Sequence, residues 1–226
     1  MFKAIIFDLD GTLIDSAQDV CHALNKLLIA HECQTIDPNH IYGYLKQGVH
    51  WLIKTSFLKS KKELNAEEIK ALAETYLLNY QAEPIARTKI YPGVVDTLAL
   101  FQKRGIKLSI CTNKPSIMTH LVLEKLQLSS FFDAIVAADD TPLLKPYPEH
   151  IYETILKMNM ELNADVVMVG DSDNDILAAR KANIPVVAAN YGYSGLAIAH
   201  LEPDACIDDF FSLPHVLEQI YNSIKH

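Results

Sequence analysis

The stretch Lys3 to Ser16, "KAIIFDLDGTLIDS", decides how the rest of the chain is read. Ala4 to Phe7 is an unbroken apolar run, the pattern of a strand buried on both faces. It stops at Asp8, and Asp10, Gly11 and Thr12 follow at once. In extended chain, residues two apart point the same way. Asp8 and Asp10 are therefore expected on one side of a strand end. Two unit charges about 4 Å apart repel by about 4 kcal/mol at an effective dielectric near 20. A hard divalent cation with oxygen ligands offsets such repulsion, and Mg2+ characteristically takes one or two carboxylates together with substrate phosphate.

Working outward, similar apolar runs recur at Lys107–Thr112, Ala134–Ala138, Val166–Gly170, Pro185–Ala189 and, more weakly, Ala205–Ile207. Amphipathic segments lie between them, at Val94–Arg104, Ile117–Leu126, Glu149–Met158, Asp175–Ala182 and Leu213–Ile224. This alternation predicts an α/β fold with a doubly wound, Rossmann-like parallel sheet. One interval departs from it. Between Ala17 and Arg87 the sequence carries helical patterns only, a span far longer than an ordinary crossover. The expected organisation is a core of residues 1–15 and 88–226, with residues 16–87 inserted as an all-helical domain.

Ligands of doubly wound sheets bind beyond the carboxyl ends of the strands. The polar residues closing each run are thus the site candidates: Asp8 and Asp10; Thr112, Asn113 and Lys114; Lys145 after the third run; and Asp171, Asp173 and Asp175 in "GDSDND". A carboxylate can accept a phosphoryl group. A hydroxyl and an ammonium can hold its oxygens. A second carboxylate two residues on is placed to protonate the leaving alcohol and then to take a proton from water.

Composition narrows the alternatives. The 226 residues carry a net charge of −8, which leaves no surplus of Lys and Arg for a nucleic-acid backbone. No apolar run approaches the roughly 20 residues of a membrane span. The four cysteines, Cys21, Cys33, Cys111 and Cys206, form no C-x-x-C pair and read as free thiols of a reducing compartment. A cytoplasmic protein acting on a small metabolite, with no membrane or nucleic-acid partner, is expected. The sequence marks no oligomeric interface.

"DLDGTLIDS", "CTNK", "KPYPE" and "GDSDND", in that order, resemble the four motifs of the haloacid dehalogenase-like hydrolase superfamily, and the inserted block resembles its helical cap domain. The junction "IYPGV" and the length are similar to those of the phosphoglycolate phosphatase group. The resemblance implies a Mg2+-dependent phosphomonoester hydrolase working through an aspartyl-phosphate, with 2-phosphoglycolate as a candidate substrate. It makes Asp8 the nucleophile and Asp10 the general acid/base. Thr112 and Lys145 become phosphate holders, with Lys145 also steadying Asp8, and Gly11, Thr12 and Asn113 line the phosphate pocket. It implies Asp8, Asp10 (through its carbonyl), Asp171 and Asp175 as the metal set.

One departure stands out: the inserted block has no arginine before Arg87. A substrate carboxylate would then fall to a lysine, and Lys46 in "YGYLKQGVHW" is the candidate. Two other functions are consistent with these residues: a β-phosphoglucomutase-like mutase of the same superfamily, and a non-enzymatic phospho-receiver module.

Overall fold

The computed structural model describes residues 1–45, 47–162 and 165–225. In chain order the elements are β1 (Ala4–Phe7), β2 (Ile14–Asp15), α1 (Ala17–Ala30), α2 (Tyr42–Leu45), α3 (Gly48–Lys59), α4 (Ala66–Ala82), β3 (Lys89–Ile90), α5 (Val94–Lys103), β4 (Lys107–Cys111), α6 (Ser116–Lys125), β5 (Ala134–Val136), α7 (Glu149–Lys157), β6 (Val166–Gly170), α8 (Asp173–Lys181), β7 (Val186–Ala189), β8 (Ala205–Ile207) and α9 (Leu213–Lys225). Short 3-10 turns join several of them. No helix among the described residues is long and apolar enough to cross a membrane.

All six apolar runs became strands of one parallel sheet, in the order β5-β4-β1-β6-β7-β8. The first strand occupies the middle. Its side chains alternate between two cores, because successive residues of a strand face opposite ways. Ile5 and Phe7 join one apolar cluster with Leu98, Phe101 and Leu217 from α5 and α9. Ala4 and Ile6 join another with Ile151, Ile155 and Ile176 from α7 and α8. Both faces are therefore covered, and this is why the runs read as continuous rather than alternating.

Register then sets the site. Phe7 pairs with Ile110 on one side and Val169 on the other, so Asp8 lies level with the last residues of β4 and β6. Thr112 and Asp171, which follow those strands, flank it.

The four helices α1 to α4 lie between two short segments, β2 and β3, which pair antiparallel through Ile14–Ile90 and Asp15–Lys89. Helix α1 buries Val20, Leu24, Leu27 and Leu28, the spacing of one helical face. Helix α4 starts at a capping box: Asn65 Oδ1 accepts from the Glu68 N–H at 3.0 Å, and the Glu68 carboxylate accepts from the Asn65 N–H at 2.8 Å. The second crossing back to the sheet is tied to α1 by a buried carboxylate. Asp19 accepts from the backbone N–H groups of Arg87 and Thr88, from the Thr88 hydroxyl, and from the Arg87 guanidinium at 3.2 Å.

Candidate active site

At the carboxyl edge of the sheet, polar side chains from the first, second, third and fourth motif segments border one cavity of about 380 Å3. Asp8, Asp10, Thr112, Asn113, Lys114, Lys145 and Asp171 form its floor. The opposite wall comes from the helices and is apolar and aromatic, with Val20, Leu45, Val49, Leu52, Tyr76 and Tyr80.

Charge pairing divides the floor into two halves. Lys145, 3% exposed, reaches Asp8 Oδ1 at 2.9 Å and Asp175 Oδ1 at 2.6 Å. Lys114 donates to Asp10 Oδ1 at 2.9 Å and Oδ2 at 3.0 Å, and to the Tyr80 hydroxyl at 2.9 Å. The Ser16 hydroxyl also donates to Asp10 Oδ1. Asp10 and Asp8 thus take different lysines. Both ammonium groups are held charged beyond the ordinary lysine range by these carboxylates, which outweigh the cost of burial.

Asp171 is fixed by two donors: the Thr12 hydroxyl to Oδ1 at 3.0 Å and the Tyr193 N–H to Oδ2 at 2.8 Å. The backbone crowds it closely. Gly11 has φ +90°, and a Cβ there would lie 2.3 Å from Asp171 Oδ2, so both its conformation and its neighbour demand glycine. Asp175 is engaged on its other oxygen by the Ser172 N–H at 3.0 Å and the Ser172 hydroxyl at 2.6 Å, a capping box that starts α8. Thr112 is buried at the end of β4, and its Oγ1 accepts from the Lys114 N–H at 3.3 Å. The side-chain amide of Asn113 brackets the backbone of Lys145.

Carboxylate oxygens of Asp8, Asp171 and Asp175 lie within 4.8 Å of one another. The carboxylates of Asp8, Asp10 and Asp171 on this floor and of the fully buried Asp175 beneath it outnumber the ammonium groups of Lys114 and Lys145 by two when all are ionised, and Asp173 also borders the cavity. Burial pushes Asp8 up to about 6 against the pull of Lys145. Burial, with Asp8 and Asp175 as neighbours, holds Asp171 well above the carboxylate range. Such a cluster of hard oxygen donors with surplus negative charge fits a divalent cation of the Mg2+ type.

The geometry brings together the sequence candidates Asp8, Asp10, Gly11, Thr12, Thr112, Asn113, Lys145, Asp171 and Asp175 at one sheet edge. Lys46 lies outside the described residues; Leu45 and Gly48 on either side of it border the cavity. Lys114, Tyr80 and Tyr193 are among the participants that carried no assigned role in the sequence. Lys114 stands two residues after Thr112, and strand alternation was the signal that could have placed it beside Thr112. Tyr80 and Tyr193 gave no signal, because each meets its partner from a distant part of the chain.

The family model described as haloacid dehalogenase-like hydrolase matches residues 5–189. A relative named phosphoglycolate phosphatase from Agrobacterium fabrum is 38% identical over 216 residues, 95% of this chain and 92% of that protein. A second with the same name, from Mesorhizobium japonicum, is 36% identical and covers 98% of both chains. Among solved structures, a predicted phosphoglycolate phosphatase from Haemophilus somnus superposes with a TM-score of 0.87 at 29% identity, over 95% of this chain and 97% of that one.

Proposed function

The chain belongs to the haloacid dehalogenase-like hydrolases, and from that premise we propose that it is a Mg2+-dependent phosphatase of small phosphomonoesters, 2-phosphoglycolate among them, acting through a phosphoryl group carried on Asp8. The observation that carries this reading is the placement of Asp8 between Lys145 and Asp171 while Asp10 faces the same cavity on a separate lysine.

Asp8, Asp171 and the Asp10 carbonyl are the groups proposed to hold the cation, with Asp175 steadying Lys145 or completing the set. The bound cation would neutralise the clustered carboxylates and the incoming phosphate, drawing the two anions together. Asp8 attacks phosphorus. Lys145 and Thr112 hold phosphate oxygens, and Lys145 also fixes the Asp8 rotamer through its 2.9 Å contact. Asp10 delivers a proton to the departing ester oxygen. In the second half Asp10 takes a proton from water as that water attacks the phosphoryl group on Asp8, which restores the carboxylate. Helices α1 to α4 serve as a cap whose apolar wall keeps bulk water away from the phosphoryl group.

The test is release of inorganic phosphate from a panel of phosphoglycolate, sugar phosphates, nucleotides and pyridoxal phosphate, with and without Mg2+. Multiple turnovers that need Mg2+ and vanish in Asp8→Asn are expected. Isomerised sugar phosphate without phosphate release would identify a mutase instead. Less than one phosphate per chain would identify a receiver.

A further inference from the structure

Helix α4 belongs to the helical segment, yet one of its side chains ends inside the strand-end site. Tyr80 is 2% exposed, and its hydroxyl accepts from Lys114 Nζ at 2.9 Å. The same ammonium donates to both oxygens of Asp10 and sits 4.9 Å from the centre of the Tyr80 ring. An ammonium has three hydrogens, and these three acceptors match them. The direction of the lysine head is therefore set jointly by Asp10, from the end of β1, and by Tyr80, from α4. Lys114 is itself 7% exposed, so bulk water does not readily replace a lost acceptor.

We infer that Tyr80 and Lys114 are positioning residues for Asp10: Tyr80 transmits the seating of α4 to the acid/base carboxylate through the Lys114 ammonium. Asp10 is aimed at the leaving oxygen only while the helices are packed on the sheet. The inference rests on the proposed function, in which Asp10 is the proton donor. In that step an oxygen of Asp8 bonds to phosphorus, the bond from phosphorus to the ester oxygen breaks, and the proton that Asp10 took from the water of the preceding turnover passes to that oxygen, so a neutral alcohol departs. Neither Tyr80 nor Lys114 is among the groups proposed above to hold the phosphate. Their effect should follow how badly the leaving oxygen needs a proton. An alkyl alcohol needs it; para-nitrophenolate departs without it.

The test is kcat/KM in the presence of Mg2+ for two substrates: para-nitrophenyl phosphate and whichever alkyl phosphate the panel shows to be turned over fastest. This parameter ends at the first irreversible step, loss of the leaving group, so later hydrolysis at Asp8 does not enter it. Tyr80→Phe is expected to lower the alkyl value about tenfold and the para-nitrophenyl value less than about twofold. Lys114→Met should give the same pattern with a larger ratio, and the double variant should be no worse than Lys114→Met alone, since both act through one chain of contacts. Both substrates are read on one preparation, so partial unfolding cancels in the ratio. Equal losses on both substrates in Tyr80→Phe and Lys114→Met, with Asp10→Asn still selective for the alkyl ester, overturn the inference and leave the proposed function standing. Absence of phosphate release by the unmodified protein, or an Asp10→Asn variant with no leaving-group dependence, overturns the proposed function and this inference with it.

Discussion

Asn113 holds the main chain of Lys145 on both sides: its Nδ2 donates to the Lys145 carbonyl at 2.9 Å and its Oδ1 accepts from the Lys145 N–H at 3.0 Å. A side-chain amide thereby joins the end of β4 to the loop that carries Lys145, the lysine proposed to hold the phosphate. In Asn113→Ala two backbone groups lose their partners at a partly buried site, a cost of about 1–3 kcal/mol. Activity should fall about ten- to a hundredfold, because a shift of the order of 1 Å in a positioning group has that effect. Asn113→Asp keeps the acceptor but replaces the donor with a second acceptor facing a carbonyl, so it should rescue little. Phosphate-release kinetics beside an unfolding midpoint check this; activity at the level of the unmodified protein in Asn113→Ala would falsify the bracket's role.

Asp8 illustrates a site kept at the expense of stability. Burial raises its folded pKa from an ordinary 3.8 to about 6. For a carboxylate raised in this way, the fold favours the protonated form. No penalty exists below the unfolded value; it grows as pH rises between 3.8 and 6 and is complete above. At pH 7.5 without divalent cations, Asp8→Asn should therefore unfold at a higher temperature than the unmodified chain. A gain of up to about 3 kcal/mol is expected, since the raised value already includes the attraction of Lys145. The same variant should release no phosphate. A lower midpoint in the variant under these conditions contradicts the account.

Much of the architecture was legible because burial on both faces writes strands as unbroken apolar runs. β1, β6 and β8 begin and end where the runs suggested, and the others differ only by a residue or two at an end. Placing the run ends at one sheet edge followed from the parallel order. Other features left no trace. β2 and β3 are two residues each, too short for any period to register, although they mark both crossings into the helices. Helix α8 starts at Asp173 rather than Asp175, because Ser172 caps it and Asp175 closes the box. The resemblance implied the contact of Lys145 with Asp8, but the remaining charge pairs were hidden: only packing assigns Lys114 to Asp10 and brings Asp175 to Lys145 as well.

Cation binding should be measurable apart from turnover. A ligand that binds only the folded state adds about 2.7 kcal/mol at a hundred times its Kd. Mg2+ should accordingly raise the unfolding midpoint of the unmodified protein, and Asp171→Asn should lose most of that rise. Gly192→Ala offers a second route to the same group, since a Cβ there would fall 2.2 Å from Asp171 Cβ and push the carboxylate aside. A midpoint unmoved by millimolar Mg2+, or moved equally in all three proteins, removes Asp171 from the proposed ligand set.

His150, in the first turn of α7, is fully buried; its Nε2 lies 3.3 Å from the Val136 carbonyl while its Nδ1 has no hydrogen-bond partner. Burial, aided by the nearby Lys145 charge, pushes its pKa from an ordinary 6.5 down to about 4. The fold thus holds the neutral ring, and the unfolded chain binds the extra proton. Stability from this residue is complete above pH 6.5 and drains away as pH falls toward 4, by about 3 kcal/mol in total. His150→Leu removes the titration and loses only one long hydrogen bond and some packing. The variant should start less stable at pH 7.5 and close the gap, or pass the unmodified protein, by pH 4.5. Chemical denaturation of both proteins across that range measures the difference directly, and other acid groups cancel between them. Two curves that stay parallel from pH 7.5 to 4.5 would mean that the imidazole does not resist protonation in the folded chain.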